Sequence, residues 1–141
     1  MTRRERTEIL ITGSPMVAAA LAAHITERYD VKVIEEPDAG LVMVKMRESA
    51  QRTLFYLGEV TVTEAKVQIS QALGMGIVQG DNRELAYQLA VIDAAYNAGL
   101  PETAQWAVLL ERERQRIADK VKHHTAAVLK TKVSFESMDV S

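Results

Sequence analysis

The chain has 141 residues, 48% hydrophobic and 26% charged, with a formal net charge of −2 and no cysteine. That length and composition predict one globular domain, 1–141, with a real core. The small net charge offers no electrostatic case for nucleic acid, and the absence of cysteine excludes disulfides, thiolate metal sites and iron–sulfur ligation. The opening MTRRERTEIL is charged where a secretory leader needs an apolar stretch. No apolar run approaches the ~20 residues of a membrane span, so no membrane contact and a cytoplasmic location are expected.

In chain order, Arg3 to Ile11 reads as a short charged helix. Ser14-Pro15 reads as an N-cap followed by proline at the first helical position, where its missing N–H is harmless. Val17, Leu21 and Ile25 give the second helix one apolar face, to about Arg28. Tyr29 to Ile34 alternates like a strand, Pro37-Asp38-Ala39-Gly40 reads as a turn, and Leu41 to Met46 as a second strand. A longer strand is predicted over Arg52 to Ala72. Its apolar phase runs through Val60 and Val62 and then slips to Ala65, Val67 and Ile69, which calls for a bulge or bend. Leu73 to Val78 is a further strand, and the short links imply antiparallel pairing. A helix starts near Asn82 and stops at Gly99-Leu100-Pro101. Another follows to about Lys130, and the alternation in Lys132 to Met138 predicts a short final strand. The fold class is α+β: an antiparallel sheet of four to five strands, with N-terminal helices and two C-terminal helices.

The glycine-rich stretch GMGIVQG (Gly74 to Gly80) leads into a helix, as phosphate-binding loops do. Its spacing is one residue too long for a dinucleotide loop, and it lacks the Gly-Lys-Ser/Thr of a triphosphate loop. Asp81 and Glu84 read as a capping box that satisfies the helix donors with the chain's own carboxylates. The helix carries two apolar stripes: Leu85, Leu89, Ile92 and Tyr96 on one side, and Ala86, Ala90 and Ala94 on another. One side can take the sheet. The alanine side needs either the other helices or a second chain, which makes these alanines candidates for a partner interface. Asp93, between the stripes, is either a hydrogen-bonded structural carboxylate or a functional one.

On the last helix, Trp106, Leu110, Ile117, Val121 and Val128 share an arc of about 60°, a narrow seam suited to its own fold or to a partner helix. Glu113 points into that seam. His123 and His124 diverge by about 100° and cannot share a metal without an unusual bend. No nucleophile–base or paired-carboxylate arrangement stands out, with His24 isolated. By residue chemistry, the chain reads as a binding or assembly subunit.

Three stretches, PDAGLVMVKMRE (Pro37 to Glu48), FYLGEVTVTEAKV (Phe55 to Val67) and GMGIVQG…AYQLAVIDAA (Gly74 to Ala95), resemble the PhnG family. The tail TKVSFESM (Thr131 to Met138) resembles the family's closing basic-Val-x-Phe-x-x-Met pattern. The chain departs from the family at Asp81-Asn82, where many members carry Arg-Asp, and at Lys132, often arginine. The resemblance implies a small subunit of the bacterial carbon–phosphorus lyase core complex, with homologues of PhnI, PhnJ and PhnH as partners. The two-sided apolarity of the Asn82–Ala98 helix and the narrow Trp106–Val128 seam predict self-association or exposed apolar patches in the isolated chain. The resemblance also implies participation, with ATP as substrate, in replacing adenine by an alkylphosphonate to form a ribose 1-alkylphosphonate 5-triphosphate. The later bond cleavage, by an iron–sulfur cluster with S-adenosylmethionine, belongs to another subunit. No cofactor is expected in this chain. It is expected to be supporting and non-catalytic alone; the alternative is that Asp93 or Glu64 contributes to a shared active site.

Overall fold

The computed structural model describes residues 1–47 and 54–140. The elements, in order, are α1 (Arg3–Thr12), α2 (Pro15–Thr26), β1 (Lys32–Arg47), β2 (Leu54–Ile69), β3 (Ala72–Gln79), α3 (Arg83–Asn97) and α4 (Glu102–Val140). The predicted start of the second long strand at Arg52 lies outside the described residues. The architecture is α+β, with one antiparallel sheet in the order β1-β2-β3. Among the described residues it has three strands rather than the four to five expected.

Two causes account for the difference. Pro37 to Gly40 does not turn the chain; it lies inside β1, with register shifts between Val33 and Glu35 and between Glu35 and Asp38. Proline cannot donate to a ladder, but an edge strand with bulges tolerates it. The second cause is α4. It is one helix of 39 residues that includes Lys132 to Met138, so the predicted final strand is incorrect. No glycine or proline occurs between Glu102 and Ser141 to stop a helix once it has started.

The anticipated slip in β2 is resolved without a bulge against β3, because their register is continuous from Val62↔Gln79 to Ile69↔Ala72. Thr63, Ala65, Val67 and Ile69 all face the core. The polar member is satisfied: the Thr63 hydroxyl donates to the Gly80 carbonyl at 2.6 Å and accepts from the Asn82 N–H at 3.0 Å. Val60 and Val62 lie on the opposite face.

Helix α3 lies across the inner face of the sheet, and α1, α2 and α4 pack beyond it. Thus α3 is apolar on two sides because it is covered on two sides. Its alanine stripe meets the sheet. A Cβ on Gly74 would collide with the backbone at Ala90 and Ala94, and one on Gly76 with the backbone at Ala86 and Ala90. Glycine against alanine permits this approach. The leucine stripe faces the helices, where Tyr96 meets Trp106 edge to face at 5.7 Å between ring centroids.

Candidate functional site

The stretch Gly74 to Gly80 is a strand packed under a helix, followed by a turn. Gly74 and Gly76 are spent on the contact with α3, and Gly80 takes a positive φ of 87° to turn the chain. Asn82, not Asp81, caps α3: its side chain accepts from the Leu85 N–H at 3.1 Å. Asp81 stays exposed beside Arg83 at 3.6 Å. Tight chain reversal at Gly80 moves the cap one residue beyond the position that the capping-box pattern predicts.

Asp93 is 5% exposed. It accepts from Arg3 through Nε at 2.9 Å and Nη2 at 2.8 Å, from Arg6 Nη2 at 3.1 Å, and from the Met75 N–H at 2.9 Å. Arg6 lies 3.8 Å from the Tyr96 ring centre. Burial lowers the Arg6 pKa from its usual value, against the opposing pull of Asp93. The carboxylate therefore joins α1, α3 and the free edge of β3. Nearby, the Asn97 amide donates to the Leu73 carbonyl at 2.7 Å, so two side chains of α3 occupy backbone groups of that edge. Arg3 and Arg6 lie 90 and 87 residues from Asp93, and no local spacing announces the pairing.

Two further buried carboxylates behave alike. Glu113, anticipated to point into the α4 seam, accepts from the Ser14 N–H at 2.9 Å and pairs with Arg116. Those bonds hold its pKa below the ordinary carboxylate value, Arg116 contributing most. Glu102 accepts from the Tyr29 hydroxyl at 2.9 Å and from Arg28 at 3.3 Å. Burial pushes its pKa up, but its own backbone N–H at the helix start, Tyr29 and Arg28 outweigh this and leave it lowered. Each buried acid ties helices or strands together, its carboxylate engaged by donors of this chain.

Glu64 lies elsewhere. It is exposed on the outer sheet face, across from Asp38 and Ile77. With Glu35, Glu36, Asp38 and Val62 it lines a shallow depression of about 400 Å³. Asp93 and Glu64 are therefore not brought together. Among the described residues, no three of His, Cys, Asp and Glu gather as a metal site would require.

The interface candidates separate in the same way. Ala86, Ala90 and Ala94 are fully buried beneath the chain's own sheet, and Trp106 and Leu110, each 1% exposed, belong to its own core. Elements of the chain itself already cover these five. Ile117 packs partly against that core, whereas Val121 and Val128 are 59% and 53% exposed. The surface that sequence reasoning missed is the outer sheet face. Leu73, Met75 and Ile77 lie on it 40–50% exposed, and their alternation with Gly74, Gly76 and Val78 was the available signal.

Comparison with known proteins follows this geometry. The family model "Phosphonate metabolism protein PhnG" matches residues 1–139. The chain is also similar to the alpha-D-ribose 1-methylphosphonate 5-triphosphate synthase subunit PhnG of Rhizobium meliloti (strain 1021). They are 31% identical over 121 residues, covering 81% of this chain and 73% of that relative.

Proposed function

Since the chain belongs to the PhnG family, we propose that it is a supporting subunit of a ribose 1-alkylphosphonate 5-triphosphate synthase in organic phosphonate breakdown. In this reading it assembles in the cytoplasm with homologues of PhnI, PhnJ and PhnH. It helps transfer a ribose triphosphate from ATP to an alkylphosphonate with release of adenine, and holds no cofactor of its own. The observation that carries the supporting role is the saturation of Asp93, Glu102 and Glu113 by internal donors. A general acid or base must reach the proton it moves, and these groups are committed to holding the fold. No single helix among the described residues is long and apolar enough to cross a membrane, which is compatible with this location.

A second reading rests on Glu64, an exposed carboxylate at a depression, which a neighbouring subunit can close into a shared active site. Turnover per assembled complex separates the two. Asp93→Asn and Glu64→Gln are each coexpressed with the other core subunits, and copurification is measured beside adenine release. The supporting role predicts that Asp93→Asn lowers activity only in proportion to assembly, and that Glu64→Gln assembles and turns over normally. A fully assembled Glu64→Gln complex with activity lowered about 100-fold or more would favour the shared site.

A further inference from the structure

Two surfaces of this chain are left uncovered, and they are complementary to each other. The first is the outer sheet face. Its rows, read from the strand register, are Val42–Val60, Gly40–Val62–Gln79, Asp38–Glu64–Ile77, Glu35–Lys66–Met75 and Lys32–Gln68–Leu73. Aliphatic side chains therefore flank an acidic centre. Lys66 approaches Glu35 at 3.8 Å and Arg83 approaches Asp38 at 3.9 Å. Glu36 and Glu64 have no ion-pair partner among the described residues. Among the described residues no helix covers this face, and Val42, Leu73, Met75 and Ile77 remain 46%, 50%, 40% and 46% exposed.

The second surface is the distal half of α4. Among the described side chains, burial on this helix ends with Glu113 and the partly covered Ile117, and residues 118–126 are all exposed. From Ile117 to Lys132 the sequence has four lysines and two histidines against one acid, Asp119, and two further acids, Glu136 and Asp139, follow before Val140. Val121 and Val128 form the apolar line, seven residues apart and hence on one side of the helix, with Lys120 and Lys122 flanking Val121. This is an amphipathic helix, basic as far as Lys132, whose exposed line has no partner among the described residues. Its proximal half is locked against α1 and α2, on the far side of α3 from the outer sheet face, so the helix cannot reach that face in its own chain.

We infer that the occupant of the outer sheet face is the distal half of α4 from a second copy, and that the contact is reciprocal. A two-fold arrangement seats each helix on the other copy's sheet and satisfies both surfaces at once, which is the self-complementarity that closed dimers require. Lys120 and Lys122 face Glu36 and Glu64, while Val121 and Val128 meet Ile77 and Met75. The size is adequate. A helix from Ile117 to Val140 is about 36 Å long and ~10 Å wide. Two such contacts, counted on all surfaces, bury roughly 1,400 Å², within the ~1,200–2,000 Å² of stable interfaces.

Sedimentation equilibrium of the purified full chain at concentrations up to about 100 µM tests this independently of the synthase reading. The expected result is a dimer that weakens as salt is raised. The double variants Glu36→Lys/Glu64→Lys and Lys120→Glu/Lys122→Glu, whose sites are all exposed, each raise the dissociation constant about tenfold or more. Mixing the two variants restores a heterodimer near wild-type affinity, because each reversed sheet then meets a reversed helix at both contacts. Circular dichroism confirms that each variant is folded before mixing. A wild-type monomer throughout would overturn the proposal and leave the sheet face to a different subunit. A dimer indifferent to both reversals, or a mixture no tighter than its components, would overturn it equally.

Discussion

Glu113 and Glu102 do their work as anions. Each accepts hydrogen bonds that the protonated form supports poorly, and each has a pKa held below the ordinary 4.5. The linkage sign follows. A carboxylate with a depressed folded-state pKa adds stability that is fully present above its unfolded value and is lost as pH falls through the folded one. The protein should therefore lose thermal stability progressively below about pH 4.5. Glu113→Gln should melt below wild type at pH 7, and the gap should close as pH falls from 4.5 toward 3. Thermal midpoints across that range check this; a constant gap would show that packing, not charge, is what Glu113 contributes. Asp93 is likewise a buried carboxylate engaged by internal donors. A partly buried position between two apolar stripes was visible in the sequence, but its donors were not, since Arg3, Arg6 and Met75 come from two other elements.

At the scale of elements, periodicity was a good guide to what is helix and a poorer guide to what covers it. The first two helices fall where the sequence placed them, with Ser14 as the N-cap of α2 and Pro15 at its first turn, and α3 is capped one residue past its predicted cap. The two stripes of α3 were legible, but their partners were exchanged: alanine faces the sheet because Gly74 and Gly76 face alanine. This predicts that Gly76→Ala is costly although the change is a single methyl. The new Cβ would meet the Ala86 carbonyl and the Ala90 amide, both backbone, so helix and strand must separate. Chemical denaturation should show a loss of about 1–3 kcal/mol. A neutral Gly76→Ala would mean that the α3–sheet contact is looser than the geometry implies. In β1, the proline-glycine stretch carried the signal of a turn, and pairing with β2 converted it into bulges within one strand.

At the scale of the whole molecule, the core and the projecting parts are separable. Buried apolar side chains run from Ile9 to Leu110 and join in one cluster, to which Ile117 adds the last partial contact. Beyond Gln79, β3 no longer accompanies β1 and β2, and they continue as a two-stranded ribbon with Leu41 and Met43 exposed. A chain ending after Thr125 should keep the cooperative melt of the full chain, with stability changed by about 1 kcal/mol or less, because the last described positions of α4 with any burial are Glu113 and Ile117. If the truncated chain fails to fold, the distal helix contributes to the core in a way its exposure does not suggest. Projections of this kind gain little for a solitary domain, and they suit a protein whose surfaces are completed by other chains.

The sequence by itself determined the fold class, the helical segments, the main strands and the family, because periodicity, caps and motif spacing are local properties that survive without tertiary knowledge. Only the tertiary structure decided the rest. Strand number depended on whether Pro37 to Gly40 turned or bulged, which pairing with β2 settles. The absence of a final strand depended on a helix whose continuation a period-2 pattern in Lys132 to Met138 concealed. The pairing of Asp93 depended on two arginines about ninety residues away, and the covering of the alanine stripe on glycines in another element. An apolar stripe shows that a side chain is to be covered, but the covering element is chosen by shape and approach distance, which exist only once the chain has folded.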